Sequence, residues 1–131
     1  MVKWGVIGTG TISTAFCDSI RYSKEGKLAA VASRSSKNLK HFSDKYSVDT
    51  YDSYDALLND SSIDAIYIGT PHNSHFDLSL KTLRSGKHLL CEKPMTMNST
   101  EAMILLNEAR GLNLFFMEAF MYRCHPLTHK T

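Results

Sequence analysis

Four short segments carry the residue types that could do chemistry. The first, Gly8-Thr9-Gly10-Thr11-Ile12-Ser13, places two glycines just ahead of an amphipathic run. There Gly8 permits a tight turn and Gly10 lets the backbone approach a pyrophosphate. The first amides of the following helix, at Thr11 and Ile12, offer unpaired donors and positive dipole to the phosphates. Ser13 stands where a third glycine would be expected, and its small side chain still allows close packing. The second segment, Ser33-Arg34-Ser35-Ser36, falls where an NAD site normally places an Asp or Glu for the ribose 2′-hydroxyl. No carboxylate is there. Arg34 can instead pair with a 2′-phosphate and lie against the adenine, with Ser33, Ser35 and Ser36 as hydroxyl donors, which favours NADP(H) over NAD(H).

The third segment is Gly69-Thr70-Pro71-His72-Asn73-Ser74-His75. Thr70 and Pro71 would wall a crevice, and His75, in a first helical turn, would serve as a cap or a cofactor contact. The fourth is Cys91-Glu92-Lys93-Pro94-Met95. A lysine at the edge of a buried sheet can exchange a proton if desolvation lowers its pKa, and beside a nicotinamide it would suit hydride chemistry at a carbinol carbon. The plain alternative is a solvated lysine that ends a strand. Pro94 fixes the local backbone direction, and Cys91, in an apolar run without a neighbouring base, reads as core. His72 and His75 have the i, i+3 spacing of a metal pair but no evident third ligand, and Pro126 spoils the i, i+4 spacing of His125 and His129, so no metal is expected.

These segments can converge only if each ends a strand of one sheet, and the rest of the chain is patterned for that. Short β-type runs, at Lys3–Gly8, Lys27–Ser33, Val48–Tyr51, Ala65–Gly69, His88–Glu92 and Asn113–Met117, alternate with segments of helical period. The predicted apolar stripes are Ile12, Ala15, Phe16, Ser19 and Ile20; Leu39, Phe42 and Tyr46; a short helix at Tyr54–Leu58; Phe76, Leu80 and Leu83; and Ala102, Leu105, Leu106 and Ala109. Gly86 and Gly111 are placed to end two of the helices, and Asn98 with Glu101 to cap the last. The alternation predicts an α/β fold of Rossmann type, a doubly wound, mostly parallel sheet whose ligand lies at the carboxyl ends of the strands.

Composition agrees with a globular α/β domain and excludes other classes. The chain has 131 residues, 43% hydrophobic and 21% charged, with 15 basic against 13 acidic side chains and a net charge of +2. Disorder and coiled coil are excluded, and no basic tract suggests nucleic acid. Three widely spaced cysteines give neither a disulfide framework nor a zinc ribbon. With no signal-peptide layout and no apolar run long enough to span a bilayer, a cytoplasmic protein without membrane association is expected.

Together the segments resemble the N-terminal domain of the Gfo/Idh/MocA oxidoreductases. The matching motifs are Gly8-Thr9-Gly10-Thr11-Ile12, Thr70-Pro71-His72-Asn73-Ser74-His75 and Glu92-Lys93-Pro94. Glu118-Ala119-Phe120-Met121-Tyr122-Arg123-Cys124-His125-Pro126 is similar to the stretch leading into the family's second domain, and with Arg34 it leans toward the dihydrodiol dehydrogenase-like branch. The resemblance implies a dinucleotide-binding domain over residues 1–120 and a connection over residues 121–131. It implies hydride transfer between NADP(H) and a sugar, polyol or diol, with Lys93 catalytic and Glu92 and Pro94 on the nicotinamide side. A homo-oligomer is expected of the full-length form. The family's C-terminal substrate domain is expected to be absent here, leaving the isolated chain inactive and an apolar surface near Leu114–Met117 and Phe120–Tyr122. A non-catalytic nucleotide-binding regulatory domain, or another doubly wound class such as a methyltransferase, stays open on the residues alone.

Overall fold

A computed structural model of the chain describes residues 1–70, 75–92 and 99–119. Six strands, β1 (Val2–Ile7), β2 (Gly26–Ala32), β3 (Asp49–Tyr51), β4 (Ala65–Ile68), β5 (His88–Glu92) and β6 (Phe116–Ala119), form one sheet in the order β3-β2-β1-β4-β5-β6. Every neighbouring pair is parallel. Five helices connect them: α1 (Thr11–Ile20), α2 (Ser36–Tyr46), α3 (Tyr54–Leu58), α4 (His75–Arg84) and α5 (Ser99–Gly111). The strand order reverses between β1 and β4, where crossovers diverge and a crevice opens at the carboxyl ends.

Both faces of the sheet are covered, which is why β4 is buried along its whole length. Ile66, Ile68, Leu89 and Cys91 pack on one side with Leu57 and Leu58 of α3, Leu78 and Leu83 of α4, and Leu105 and Ala109 of α5. Val6, Val31 and Tyr67 pack on the other with Cys17 of α1 and Leu39 and Phe42 of α2. Phe16 stacks on Tyr67 with centroids 4.1 Å apart. Among the described residues no helix is long and apolar enough to cross a membrane.

The helices meet the sheet on faces partly different from those predicted. In α1 the fully buried residues are Ser13 and Cys17; Ile12, Phe16 and Ile20 are half-buried, and Ala15 and Ser19 are exposed. The helix crosses the sheet so closely that small residues occupy the line of contact, and a Cβ on Gly69 would overlap the Ser13 hydroxyl. In α4 the buried line is His75, Leu78, Ser79, Thr82 and Leu83, while Phe76 and Leu80 lie at its margin. In α5 only Leu105 and Ala109 are buried, and Leu106 is 40% exposed beside Met103, Ile104 and Leu112. Gly86, at φ +85°, ends α4 as expected, with its amide donating to Leu83 O at 2.9 Å. Gly111 does not play that part for α5. Asn113 takes the left-handed position at φ 57° and Leu114 N donates to Ala109 O at 2.8 Å, so the turn uses residues predicted as strand and β6 starts at Phe116. The predicted cap at Asn98 lies outside the described residues.

Candidate functional site

The carboxyl ends of β1, β2 and β4 are laced together by backbone. Gly8 N donates to Ala32 O and Gly69 N to Ile7 O, each at 2.9 Å. Gly8 has φ +103°, and a Cβ there would stand 3.1 Å from both the Gly69 carbonyl carbon and Thr70 Cγ2, so conformation and space both demand glycine. Gly10 precedes α1 with no side-chain cap, and a Cβ on it would meet nothing within 4 Å. An uncapped helix start beside open space on a glycine turn fits the pyrophosphate of a dinucleotide.

Hydroxyls tie this turn to the loop after β2. Thr9 Oγ1 lies 3.0 Å from Ser33 Oγ, which also accepts from Ser35 N at 3.1 Å. Asn38 Nδ2 donates to Thr9 Oγ1 at 3.1 Å, and Ser35 caps α2 by accepting from Asn38 N at 3.2 Å. Ser33, expected as a donor toward a phosphate, is 6% exposed and takes part in this brace. Thr9 and Asn38 escaped the sequence reading because they meet across 29 positions, with no local spacing to announce the contact. Arg34 projects from the same loop, exposed, with Cζ over the Tyr54 ring at 5.4 Å from its centroid.

Across the crevice, His75 Nε2 lies 2.7 Å from Thr70 O, and the ring is 2% exposed. Glu92 ends β5. Pro71, Lys93 and Pro94 lie outside the described residues, as does His72. Cys91 is buried in the core, and burial pushes the Cys17 thiol up to about 12, which leaves it inert as a nucleophile. Two cavities lie at the opposite, amino end of the sheet. One, of about 360 Å³, is lined by apolar side chains including Trp4, Leu90 and Phe115; the other, of about 310 Å³, is lined by Arg21, Lys27, Lys45 and their neighbours.

A parallel sheet in this strand order, with a positive-φ glycine turn opening its first helix, defines the class: a dinucleotide-binding domain of Rossmann type. The chain belongs to the Gfo/Idh/MocA oxidoreductase family, whose NAD-binding Rossmann fold model matches residues 2–120. It is 39% identical over 128 residues to a trans-1,2-dihydrobenzene-1,2-diol dehydrogenase of Xenopus laevis, covering 95% of this chain and 39% of the relative. It is 37% identical over 130 residues to D-xylose 1-dehydrogenase (NADP(+)) 2 of Haloferax volcanii, covering 98% and 40%. Among solved structures, a 3-ketoreductase from Actinomadura kijaniata in complex with NADP and TDP-benzene superposes with a TM-score of 0.91 at 32% identity, covering 98% of this chain and 40% of that one. The chain thus spans about two-fifths of the length of these relatives.

Proposed function

We propose that the chain is the cofactor-binding part of an NADP-dependent oxidoreductase that moves hydride between NADP(H) and the hydroxyl or carbonyl carbon of a sugar, polyol or diol. The observation that carries this reading is Arg34, an exposed cation at the carboxyl end of β2 with no carboxylate ion pair among the described residues. An NAD-selective site holds a carboxylate at that place, whereas a guanidinium forms charge-assisted hydrogen bonds to a 2′-phosphate. The NADP(+) in the name of the Haloferax relative and the NADP bound to the Actinomadura ketoreductase support the same preference. A reducing cytoplasm suits the buried thiols of Cys17 and Cys91, neither of which is in a disulfide.

In this reading the backbone of Gly8, Gly10, Thr11 and Ile12 receives the pyrophosphate. Arg34 and the Ser35 loop face the adenosine phosphate, and Ser33 braces that loop against Thr9. Thr70 and Pro71 wall the nicotinamide side, with His75 holding the Thr70 carbonyl in place, and Glu92, Lys93 and Pro94 close the strand nearest the reacting carbon. The nicotinamide, when bound, gives or takes the hydride. Lys93 exchanges the accompanying proton with the substrate oxygen, or tunes a neighbouring histidine that does.

Fluorescence titration of both cofactors tests the reading. NADPH should bind about 10- to 100-fold more tightly than NADH, the worth of one charge-assisted hydrogen bond at roughly 1.5–3 kcal/mol, and Arg34→Ala should remove that preference. Equal affinities, or a preference that survives Arg34→Ala, would overturn it. For Lys93, steady-state kinetics of the complete protein should show turnover at least ~100-fold lower in Lys93→Met with NADPH affinity little changed. Undiminished turnover would reduce Lys93 to a strand-end lysine.

A further inference from the structure

A loop arginine has many accessible rotamers, and fixing one on a phosphate costs side-chain entropy. Arg34 already has a resting place, with its Cζ over the ring of Tyr54. The backbone brings the two together. Ser33 N donates to Tyr51 O at 3.1 Å, extending a β2–β3 pairing whose last register sets Ala32 against Tyr51. Arg34 follows on one side of that bond, and Tyr54 opens α3 on the other. Tyr54 is itself held in place, half-buried against the core cluster beneath α3, with Ser53 capping the helix at Ala56 N. The carboxylate next to it, Asp55, is paired with Lys81 Nζ at 3.5 Å. The ring face thus holds the guanidinium by a cation–π contact, and Arg34 has no carboxylate ion pair among the described residues.

We propose that Tyr54 is a positioning residue for cofactor choice: its ring holds the Arg34 guanidinium at the carboxyl end of β2 in readiness for the 2′-phosphate of NADP(H). The inference rests on the reading of Arg34 as the phosphate contact. A purely structural tyrosine would influence stability and leave the discrimination between cofactors untouched. A positioning tyrosine changes the ratio of NADPH to NADH affinity, because only the phosphorylated cofactor uses the guanidinium.

The test is calorimetric titration of NADPH and NADH against the wild type, Arg34→Ala, Tyr54→Leu, Tyr54→Phe and the Arg34→Ala/Tyr54→Leu double variant, with thermal midpoints measured on the same samples. Tyr54→Leu should lower the NADPH-over-NADH ratio about two- to fivefold, the range of a cation–π contact at an exposed site. Tyr54→Phe, which keeps the ring, should retain the ratio, and the double variant should fall no further than Arg34→Ala alone. If Tyr54→Leu does not fold, Tyr54→Met takes its place. A folded Tyr54→Leu or Tyr54→Met with the wild-type ratio overturns the inference, as does a loss in Tyr54→Phe equal to that in the aliphatic variant. In both cases the reading of Arg34 stands so long as Arg34→Ala abolishes the preference. A wild type that does not discriminate, or an Arg34→Ala variant that does, removes that reading and the inference together.

Discussion

Lys87 shows how much one side chain can hold at a distance from the crevice. It is 5% exposed, and Nζ donates to Asp60 O at 2.8 Å and Ile63 O at 2.9 Å, pinning the loop that feeds β4. Burial lowers its pKa, and the charges of Asp60 and Asp64 work against that shift. Lys87→Met fills similar space but strands both carbonyls, so it should destabilise the fold by about 1–3 kcal/mol. Denaturant unfolding measures this, and an unchanged midpoint would show that water replaces the amine at no loss. Nothing in the sequence announces Lys87, since its partners lie 24 and 27 positions away. Ser13 was legible only as a small residue in the place of a glycine. That its hydroxyl is buried without a hydrogen-bond partner follows from how closely α1 crosses Gly69, a distance no spacing encodes.

At the scale of elements, the link from β3 through α3 to β4 is secured by a carboxylate. Asp60 accepts from Ser62 Oγ at 2.6 Å and Ser62 N at 2.9 Å, and from Tyr51 Oη at 2.5 Å. The bonds from Ser62, then that from Tyr51, hold its pKa down to about 2. A folded-state pKa below the unfolded value, roughly 4, means the stabilisation is fully present above about pH 4 and is lost as pH falls toward 2. The thermal midpoint should therefore drop across that window, and Asp60→Asn should make the drop shallower; identical acid limbs would contradict the assignment. The strands themselves were legible because β-type runs such as Ala65-Ile66-Tyr67-Ile68 are apolar on both faces, as a doubly covered sheet requires. Helix faces were less so. Hydrophobicity alone gives large residues the centre of each stripe, whereas close helix-to-sheet contact puts Ser13, Cys17, Ser79 and Thr82 there. The end of α5 was misplaced because Asn113 can take the left-handed conformation that Gly111 was expected to supply.

At the scale of the whole molecule, the crossover at β1 and β4 gathers the glycine turn, the Arg34 loop and the Thr70 carbonyl at one edge, and this convergence is legible in the alternation of strand and helix patterns, which puts each segment at the carboxyl end of a strand. The exposed apolar surface was partly legible. Phe115, at 60% exposed, falls within the apolar surface expected near Leu114–Met117, while Phe120–Tyr122 lie outside the described residues; Met103, Ile104 and Leu106 on α5 add a patch of which the periodicity places Leu106 in the core. A dinucleotide seated on the turn between β1 and α1, as proposed, must approach the backbone at Gly10. A Cβ there meets nothing within 4 Å, and the backbone, at φ −81° and ψ −173°, accepts a branched residue. Gly10→Val should therefore leave the fold intact while filling the space where the pyrophosphate meets the backbone. Calorimetric titration of NADPH into wild type and Gly10→Val, with circular dichroism on the same samples, measures both effects at once. The spectra should match and only the wild type should bind; undiminished binding by Gly10→Val would place the nucleotide somewhere else.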